Sequence, residues 1–180
     1  TGLLSPLNLG LFKDPQLPIE SAAGLNASPQ ELSLVGNDGA AANLLITGVT
    51  EGFFDVLGLP LVLGPGFTHE DHAPSGQNAQ VVGVLSHRIW TTLFGRDPAV
   101  VGKILRMVEI PTGIRVAGVA PPELDLPHGT DVWLSARINP RDFGHGLDAV
   151  LRARPGTPIH ALRGPGDVLV REQAKTRPNR

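Results

Sequence analysis

The sequence predicts a mixed fold of short β-strands and short α-helices joined by many turns. Glycine and proline are unusually common: 22 glycines and 17 prolines make 39 of 180 residues, against an average share of about 12%. Segments rich in β-branched residues, such as 80–85, alternate with segments that carry helix-capping signals, such as 86–94. Hydrophobic residues are 41% and charged residues 18% of the chain, so it can form a core. These observations argue against a helical bundle and against a disordered chain.

The first elements are expected between residues 31 and 58. Residues 1–30 hold four prolines and little periodicity, which predicts a loop-rich opening with about one helical turn. Residues 31–35 alternate polar and apolar before the turn sequence 36–39, and the apolar segment 42–49 predicts the next strand. Thr50 is a candidate N-cap for a helix over 51–57 that Gly58 ends. The apolar side of that helix is expected to hold Phe53, Phe54 and Leu57.

The middle of the chain predicts a strand, a capped helix and a hairpin. Residues 80–85 are predicted to form the strand, and Ser86 to cap a helix over 87–94. Residues four apart give that helix one buried stripe, namely Ile89, Trp90, Leu93 and Phe94. Asp97 and Pro98 open a short turn as N-cap and first residue. The remaining expected elements are a hairpin of 103–109 with 113–120, and strands at 131–135 and 150–154.

The last segment is expected to be helical but interrupted. Thr157 and Pro158 suit the start of a helix after the turn at Pro155. Gly164-Pro-Gly166 should break it, because proline and glycine both oppose interior helical positions. Residues 168–173 can resume as a helix.

The charge distribution and the absence of cysteine exclude several classes of protein. The chain carries a net charge of −2, which divides into −7 for residues 1–136 and +5 for residues 137–180. The basic end lacks an aromatic residue beyond Phe143, so nucleic-acid binding is not expected, and its arginines, Arg152 among them, are interpreted as a solvated face. With no cysteine, disulfides, thiol catalysis and cysteine-ligated zinc are excluded. The sequence lacks both a signal peptide and a membrane-length apolar run, and its two ends suggest a piece of a longer protein.

The strongest metal-like pattern is His69-Glu-Asp-His72. Two imidazoles three residues apart with acids beside them, here His69, Asp71 and His72, can face one divalent ion. The sequence offers no obvious distant ligand, and the simpler interpretation is a helical turn that Thr68 caps and whose acids favour the helix dipole. We therefore expect no metal and no other cofactor.

Catalytic motifs are missing from the sequence. Ser86 and His87 are adjacent, and adjacent residues on a helix do not face each other; Ser86 is better explained as a cap. The chain contains no Gly-x-Ser-x-Gly, no phosphate-binding loop and no dinucleotide fingerprint. The carboxylates Glu70, Asp71, Glu123 and Asp125 show no spacing that brings them together as a hydrolytic pair. No enzymatic activity is expected of this chain.

Several short motifs follow one another in a particular order along the chain. Their segments are 49–58, 63–71, 81–98, 101–105, 116–122, 131–134 and 151–156. The signature positions within or beside them are Phe53, Phe54, Gly58, Gly64, Phe67, Asp71, Trp90, Phe94, Gly102, Gly118, Pro121 and Trp133. Each motif is weak alone, but their order over about two thirds of the chain is specific. In this order the motifs resemble the extracytoplasmic (periplasmic) core domain of MacB/FtsX-type ABC transporter permeases.

The resemblance implies an α+β fold of two lobes with mixed β-sheets and short helices. Residues 1–45 plus 138–180 would form a discontinuous, porter-like α/β lobe, and residues 46–137 an inserted β-rich lobe. Three departures stand out: Pro65 replaces the family's usual arginine, the hairpin turn near Pro111 lacks the usual Asn-Gly, and Gly164-Pro-Gly166 interrupts the closing helix.

The resemblance also implies a non-catalytic role on the outer face of the inner membrane, between two membrane helices of the same permease chain. There the domain would relay conformational change driven by a cytoplasmic ATPase domain or subunit, or dock a periplasmic adaptor or cargo during export. The alternative is a module that binds a peptide or lipid in a cleft between the lobes, lined by Phe67 and Trp133.

Overall fold

The computed structural model describes residues 12, 17–26, 28–36, 41–73, 79–136 and 147–158. Within them lie eight strands, three short α-helices and one 3-10 helix at Pro98–Val100. The helices are α1 (Phe53–Leu57), α2 (His69–His72) and α3 (His87–Thr92). The strands are β1 (Ile19–Asn26), β2 (Gln30–Val35), β3 (Ala41–Val49), β4 (Val81–Leu85), β5 (Ile104–Leu105), β6 (Ile114–Val119), β7 (Val132–Ser135) and β8 (Leu147–Ala153). No helix among these residues is long and apolar enough to cross a membrane.

All eight strands belong to one mixed sheet. Its order is β5-β6-β4-β7-β3-β1-β8, and β2 pairs antiparallel with the first part of β3. β3–β7 and β4–β6 are parallel, whereas the other pairs are antiparallel. The mixed sheet with few short helices confirms the predicted α+β class.

Part of this sheet closes on itself. The chain that follows β5 reaches β2, where Leu34 forms an antiparallel bridge with Met107. The Val35 N–H donates to the Arg106 carbonyl at 2.8 Å, and the Val108 N–H donates to the Ser33 carbonyl at 2.9 Å. Strands β2, β3, β7, β4, β6 and β5 therefore form a closed ring, which we call the ring. Strands β1 and β8 lie outside it as an antiparallel pair, which we call the ribbon.

Alternation along the ring strands produces two cores. Successive strand residues point to opposite faces: Val132 of β7 packs in one core cluster and Trp133 in the other. The core inside the ring contains Leu44, Ile46, Leu85, Leu105, Met107, Ile114, Val116, Val119 and Val132. The outer core contains Phe53 and Val56 of α1 together with Leu25 of β1. The outer core therefore joins the ribbon to the ring.

The segment between α1 and α2 lies directly against β6. The Val62 N–H donates to the Val119 carbonyl at 2.9 Å, and the Val119 N–H donates to the Leu63 carbonyl at 2.8 Å. This close approach requires glycine at two positions. A Cβ on Gly64, which has φ +79°, would lie 2.4 Å from the Ala117 carbonyl oxygen, and a Cβ on Gly118 would lie 2.7 Å from the Leu63 carbonyl oxygen.

Most elements expected from the sequence are confirmed. The strands at 31–35, 42–49, 80–85, 131–135 and 150–154 are found within one to three residues of their expected bounds. The hairpin of 103–109 with 113–120 is also present, although β5 is shorter than expected. Ser86 and Asp97 both cap the helices that follow them, because each side chain accepts a hydrogen bond from a backbone N–H two or three residues later.

Three expectations about local structure are wrong. Residues 19–26 form strand β1 and not a loop, because pairing with β8 supplies the hydrogen bonds that the local sequence pattern does not announce. Helix α1 begins after Gly52, with φ +80°, and Thr50 does not cap it. Leu93 is 45% exposed and so does not belong to a buried stripe with Ile89, because α3 ends at Thr92.

The expected helix after Thr157 lies almost wholly outside the described residues, as do three of the four residues of the 36–39 turn. The division into lobes 1–45 plus 138–180 and 46–137 stays a prediction. Strand β3 crosses the proposed boundary, so one sheet contains strands from both segments.

Candidate functional site at the ribbon–ring junction

The ribbon meets the ring where β1 leaves β3. The two strands are antiparallel there, and Leu25 of β1 lies opposite Val49 of β3. One residue further along β3, the Thr50 N–H donates to the Gly24 carbonyl at 2.9 Å. The Gly24 N–H in turn donates to Thr50 Oγ1 at 2.8 Å. Thr50, expected to cap α1, instead closes this connection, which we call the junction.

A second connection runs from β8 to α1. Arg152 Nε donates to the carbonyl oxygen of Val56 at 2.9 Å. That carbonyl lies in the last turn of α1, and the residue four positions later is Pro60, which has no N–H to offer it. Arg152 therefore satisfies a backbone acceptor that the helix itself cannot satisfy, and the interpretation of Arg152 as part of a solvated face is wrong.

An aromatic cluster fills the space beneath α1. The ring centroids of Phe54 lie 5.4 Å from Phe53, 5.7 Å from Phe67 and 6.2 Å from Trp133. Trp133 is 0% exposed, and its Nε1–H donates to the Leu126 carbonyl at 2.8 Å. A wholly buried tryptophan cannot line an open cleft, so the expected cleft lined by Phe67 and Trp133 is not found. Instead, the cluster ties α1 to strand β7.

Phe67 does line a shallow pocket of about 250 Å³ beside α1, together with Phe54 and Leu61. A larger pocket of about 450 Å³ lies between the start of α3 and the 121–130 segment. It contains Ser86 and His87, but the Ser86 oxygen accepts the capping hydrogen bond from the Ile89 N–H at 3.2 Å. The hydroxyl therefore has the structural role that the sequence predicted.

Helix α2 carries the pattern that resembles a metal site, and the structure gives the three candidate ligands, His69, Asp71 and His72, different partners. His69 Nδ1 lies 2.9 Å from Glu51 Oε1. The Asp71 carboxylate accepts from the Thr68 N–H at 2.8 Å and from the Thr68 hydroxyl at 2.9 Å, so Thr68 is the N-cap residue of α2, as expected, and Asp71 reaches back to it. Among the described residues, no group of three histidine, aspartate or glutamate side chains is arranged to hold a metal ion.

Asp71 has a further partner that the sequence did not indicate. Arg115 Nη2 of β6 donates to Asp71 Oδ1 at 3.0 Å, and the Asp71 side chain is only 10% exposed. The two residues are 44 positions apart in the chain, so spacing carries no signal for this pair. The ion pair fastens α2 to the outer face of the ring.

His72 lies in an apolar environment beside the same cluster. Its ring packs edge-on against Phe67 at 5.2 Å, and its Nδ1 lies 3.4 Å from the Ala136 carbonyl oxygen. The Nε2 atom is buried, and none of the described residues offers it a hydrogen bond. Desolvation by this burial is the main cause that lowers the pKa of His72, against smaller opposing effects of the Ala136 carbonyl and the carboxylates of Glu51 and Asp71.

Apart from Asp71, which pairs with Arg115, the signature positions fall into two structural groups. The glycines at 58, 64, 102 and 118 serve turns or close backbone contacts, and three of them have positive φ. The aromatic and proline positions pack in the cores: Trp90 and Phe94 pack against the inner core and Trp90 Nε1–H donates to the Asp97 carbonyl at 2.9 Å, while Pro121 is buried. That these residues serve the structure of the family stays a prediction.

The chain is similar to known proteins over most of its length. A family model described as the MacB-like periplasmic core domain matches residues 4–164. The macrolide export ATP-binding/permease protein MacB 1/2 of Paracoccus denitrificans (strain Pd 1222) is 35% identical over 118 residues, which is 61% of this chain. The chain spans only 17% of the length of that relative.

Two solved structures share the fold. The periplasmic region of MacB from Actinobacillus actinomycetemcomitans superposes with a TM-score of 0.66 at 17% identity, covering 98% of this chain and 85% of that one. The extracellular domain of the noncanonic ABC-type transporter YknZ from Gram-positive bacteria gives a TM-score of 0.63 at 15% identity, covering 95% and 84%.

Proposed function

Because the chain belongs to the MacB-like periplasmic core domain family of ABC transporter permeases, we propose that it relays conformational change and docks an adaptor or cargo during export. It acts on the extracytoplasmic side of the membrane and performs no chemistry itself. The membrane helices of its own permease chain move its base, and an ATPase domain or subunit drives them from the cytoplasmic side. The adaptor or cargo binds at the opposite end of the relay.

The single observation that carries this proposal is the pairing at the open end of the ribbon. Ile19, the first residue of β1, is paired with Ala153, the last residue of β8. The chain therefore enters and leaves the described sheet at one place, through two strands that are hydrogen-bonded along their length. Two membrane helices that continue from these strands would act on a single element, and their relative movement would shear or tilt the ribbon.

The junction supports transmission beyond the ribbon. Movement of β1 acts on β3 through the Gly24–Thr50 hydrogen bonds, and β3 is a member of the closed ring. A closed ring with a filled core is resistant to local deformation, since packed interiors transmit strain instead of absorbing it. The ring is therefore suited to move as one body when the ribbon tilts.

A distance measurement in the full-length permease with its ATPase, in nanodiscs, tests the relay. Spin labels are attached at Glu20→Cys on the ribbon and at Thr92→Cys on α3, the helix whose Ile89 packs in the core inside the ring; both positions are exposed. We expect the distance between them to change when ATP is bound, because the ribbon moves against the ring. A second pair joins Glu31→Cys on β2 of the ring to Thr92→Cys on α3, and it should keep its distance because α3 packs into the core inside the ring. An unchanged ribbon–ring distance in every nucleotide state refutes the relay.

A further inference from the structure

The Arg152 side chain is held against α1 by close contacts, whereas the side chain of a solvated arginine would extend into water. The guanidinium occupies space left open by the absence of a side chain at Gly58, where a Cβ would lie 2.3 Å from Arg152 Nη2 and 3.2 Å from Cζ. Gly58 also ends α1 with φ +67°, and its N–H donates to the carbonyls of Phe54 and Asp55. The same residue thus ends the helix and makes room for the arginine.

From these contacts we infer that Arg152 is a positioning residue that couples the ribbon to the ring through α1. The inference rests on the relay proposed above and names the side chain that carries it. Arg152 stands on β8, and its Nε–H holds the Val56 carbonyl at 2.9 Å. In the same helix, Phe54 packs edge-on against Trp133 of β7, with 6.2 Å between ring centroids. Movement of β8 therefore reaches β7 without passing through β1 or β3.

This second route matters because the direct route is narrow. At the junction, β1 and β3 share the pair Leu25↔Val49 and the hydrogen bonds of Thr50 with Gly24. A connection as small as this allows the ribbon to rotate relative to the ring. The outer core also packs Leu25 of β1 with Phe53 and Val56 of α1, and Arg152 adds a directed hydrogen bond from β8 to the same helix. With both contacts in place, a tilt of the ribbon turns the ring instead of bending the junction.

The chemistry of the contact favours arginine over lysine. The Nε–H belongs to the planar guanidinium group, in which all donors have fixed directions relative to one another. The flat group also fits beside Gly58. A lysine has one terminal ammonium on a flexible stem, so it can approach the Val56 carbonyl but does not hold a defined angle. Arg152→Lys therefore tests direction separately from charge.

The test uses the Glu20→Cys and Thr92→Cys labels in the full-length permease with its ATPase, in nanodiscs. Arg152→Gln removes the contact, and Gly58→Ala keeps the arginine but fills its space. In both variants we expect the ATP-dependent distance change to be lost, and in Arg152→Lys to be reduced. Arg106→Gln, which removes an exposed arginine on the ring, should leave it intact. The rate of ATP hydrolysis in the same samples shows whether the ATPase is still active.

The outcomes separate the two proposals. If the unsubstituted transporter shows no distance change, the relay itself is wrong. If it does, and both Arg152→Gln and Gly58→Ala retain the full change, the relay stands and the role of Arg152 is wrong. If Arg152→Gln does not fold, Gly58→Ala and Arg152→Lys decide the question, because both keep a cation on β8. Loss of the change with ATP hydrolysis maintained supports the inference.

Discussion

Replacement of Gly64 by alanine tests whether the close contact between the 59–67 segment and β6 stabilises the fold. Two effects are expected to lower the free energy of unfolding. The backbone at Gly64 has φ +79°, which costs a residue with a side chain about 1–2 kcal/mol. The added Cβ would also lie 2.4 Å from the Ala117 carbonyl oxygen and 2.8 Å from the Gly118 Cα. These are backbone atoms that cannot rotate away, so overpacking adds about 1–3 kcal/mol.

Two further glycines separate these costs. Gly102 has φ +86° with nothing within 4 Å of a Cβ, so Gly102→Ala carries the conformational cost alone. Gly118 has no positive φ, but its Cβ would lie 2.7 Å from the Leu63 carbonyl oxygen, so Gly118→Ala carries the steric cost alone. Each substitution gains the same small amount from the less flexible unfolded chain, about 0.4–1 kcal/mol, which cancels in the comparison.

Urea unfolding of the purified domain at constant m-value measures the three free energies. We expect Gly64→Ala to be the most destabilising, with a loss that exceeds that of Gly102→Ala by about 1–3 kcal/mol. If Gly64→Ala and Gly102→Ala lose the same stability within about 0.5 kcal/mol, the contact with β6 does not constrain the segment and the reasoning fails.

Four other substitutions probe the outer core, the Asp71–Arg115 ion pair and the buried His72. Phe53→Ala, at a residue that is 1% exposed, should lower the free energy of unfolding by about 3–5 kcal/mol; a loss below about 1 kcal/mol in urea unfolding would contradict its place in the core. Asp71→Ala leaves Arg115 and the Thr68 N–H without their acceptor and should cost about 1–3 kcal/mol, while Arg115→Ala in the Asp71→Ala background should cost little more. Burial lowers the pKa of His72, so the folded state binds fewer protons than the unfolded chain: stability is full above a pH of about 6.5 and falls as the pH drops below it. His72→Phe should reduce this loss, and an identical loss in both proteins, measured as urea midpoints at about pH 7.5 and 5.5, would rule out His72 as its source.

Local patterns predicted the ring strands well, because successive residues of those strands alternate between two faces and because capping or turn residues mark the ends of the strands. In β4, residues 81–85 are bounded by Ser86, and the oxygen of that serine caps α3. In β7, Val132 and Trp133 point to different cores, as the period of a strand requires. The turn chemistry at Gly58 and at Asp97 depends on one or two neighbouring residues, so it was also readable from the sequence.

The junction was not predictable from the sequence for physical reasons. β1 is a strand because β8, more than 120 positions later in the chain, pairs with it. The strand propensity of a local segment does not indicate pairing with so distant a segment. Thr50 carries an ordinary capping signal, yet its oxygen accepts from Gly24 on another strand. Arg152 and Val56 meet only in the folded chain, although the proline at position 60 leaves a carbonyl without a local donor and is a signal that a search for such acceptors would find.

The bridge between Leu34 and Met107 also limits how a partner can be recognised. In many sheet proteins an outer strand accepts an extended peptide by backbone pairing, and the same property makes such strands prone to self-association. Here β2 directs its outward backbone groups, the N–H of Val35 and the carbonyl of Ser33, to the chain beside β5. A binding protein that contacts this part of the molecule must therefore read side-chain shape and charge, and point substitutions on the outer face should change its affinity without altering the backbone beneath.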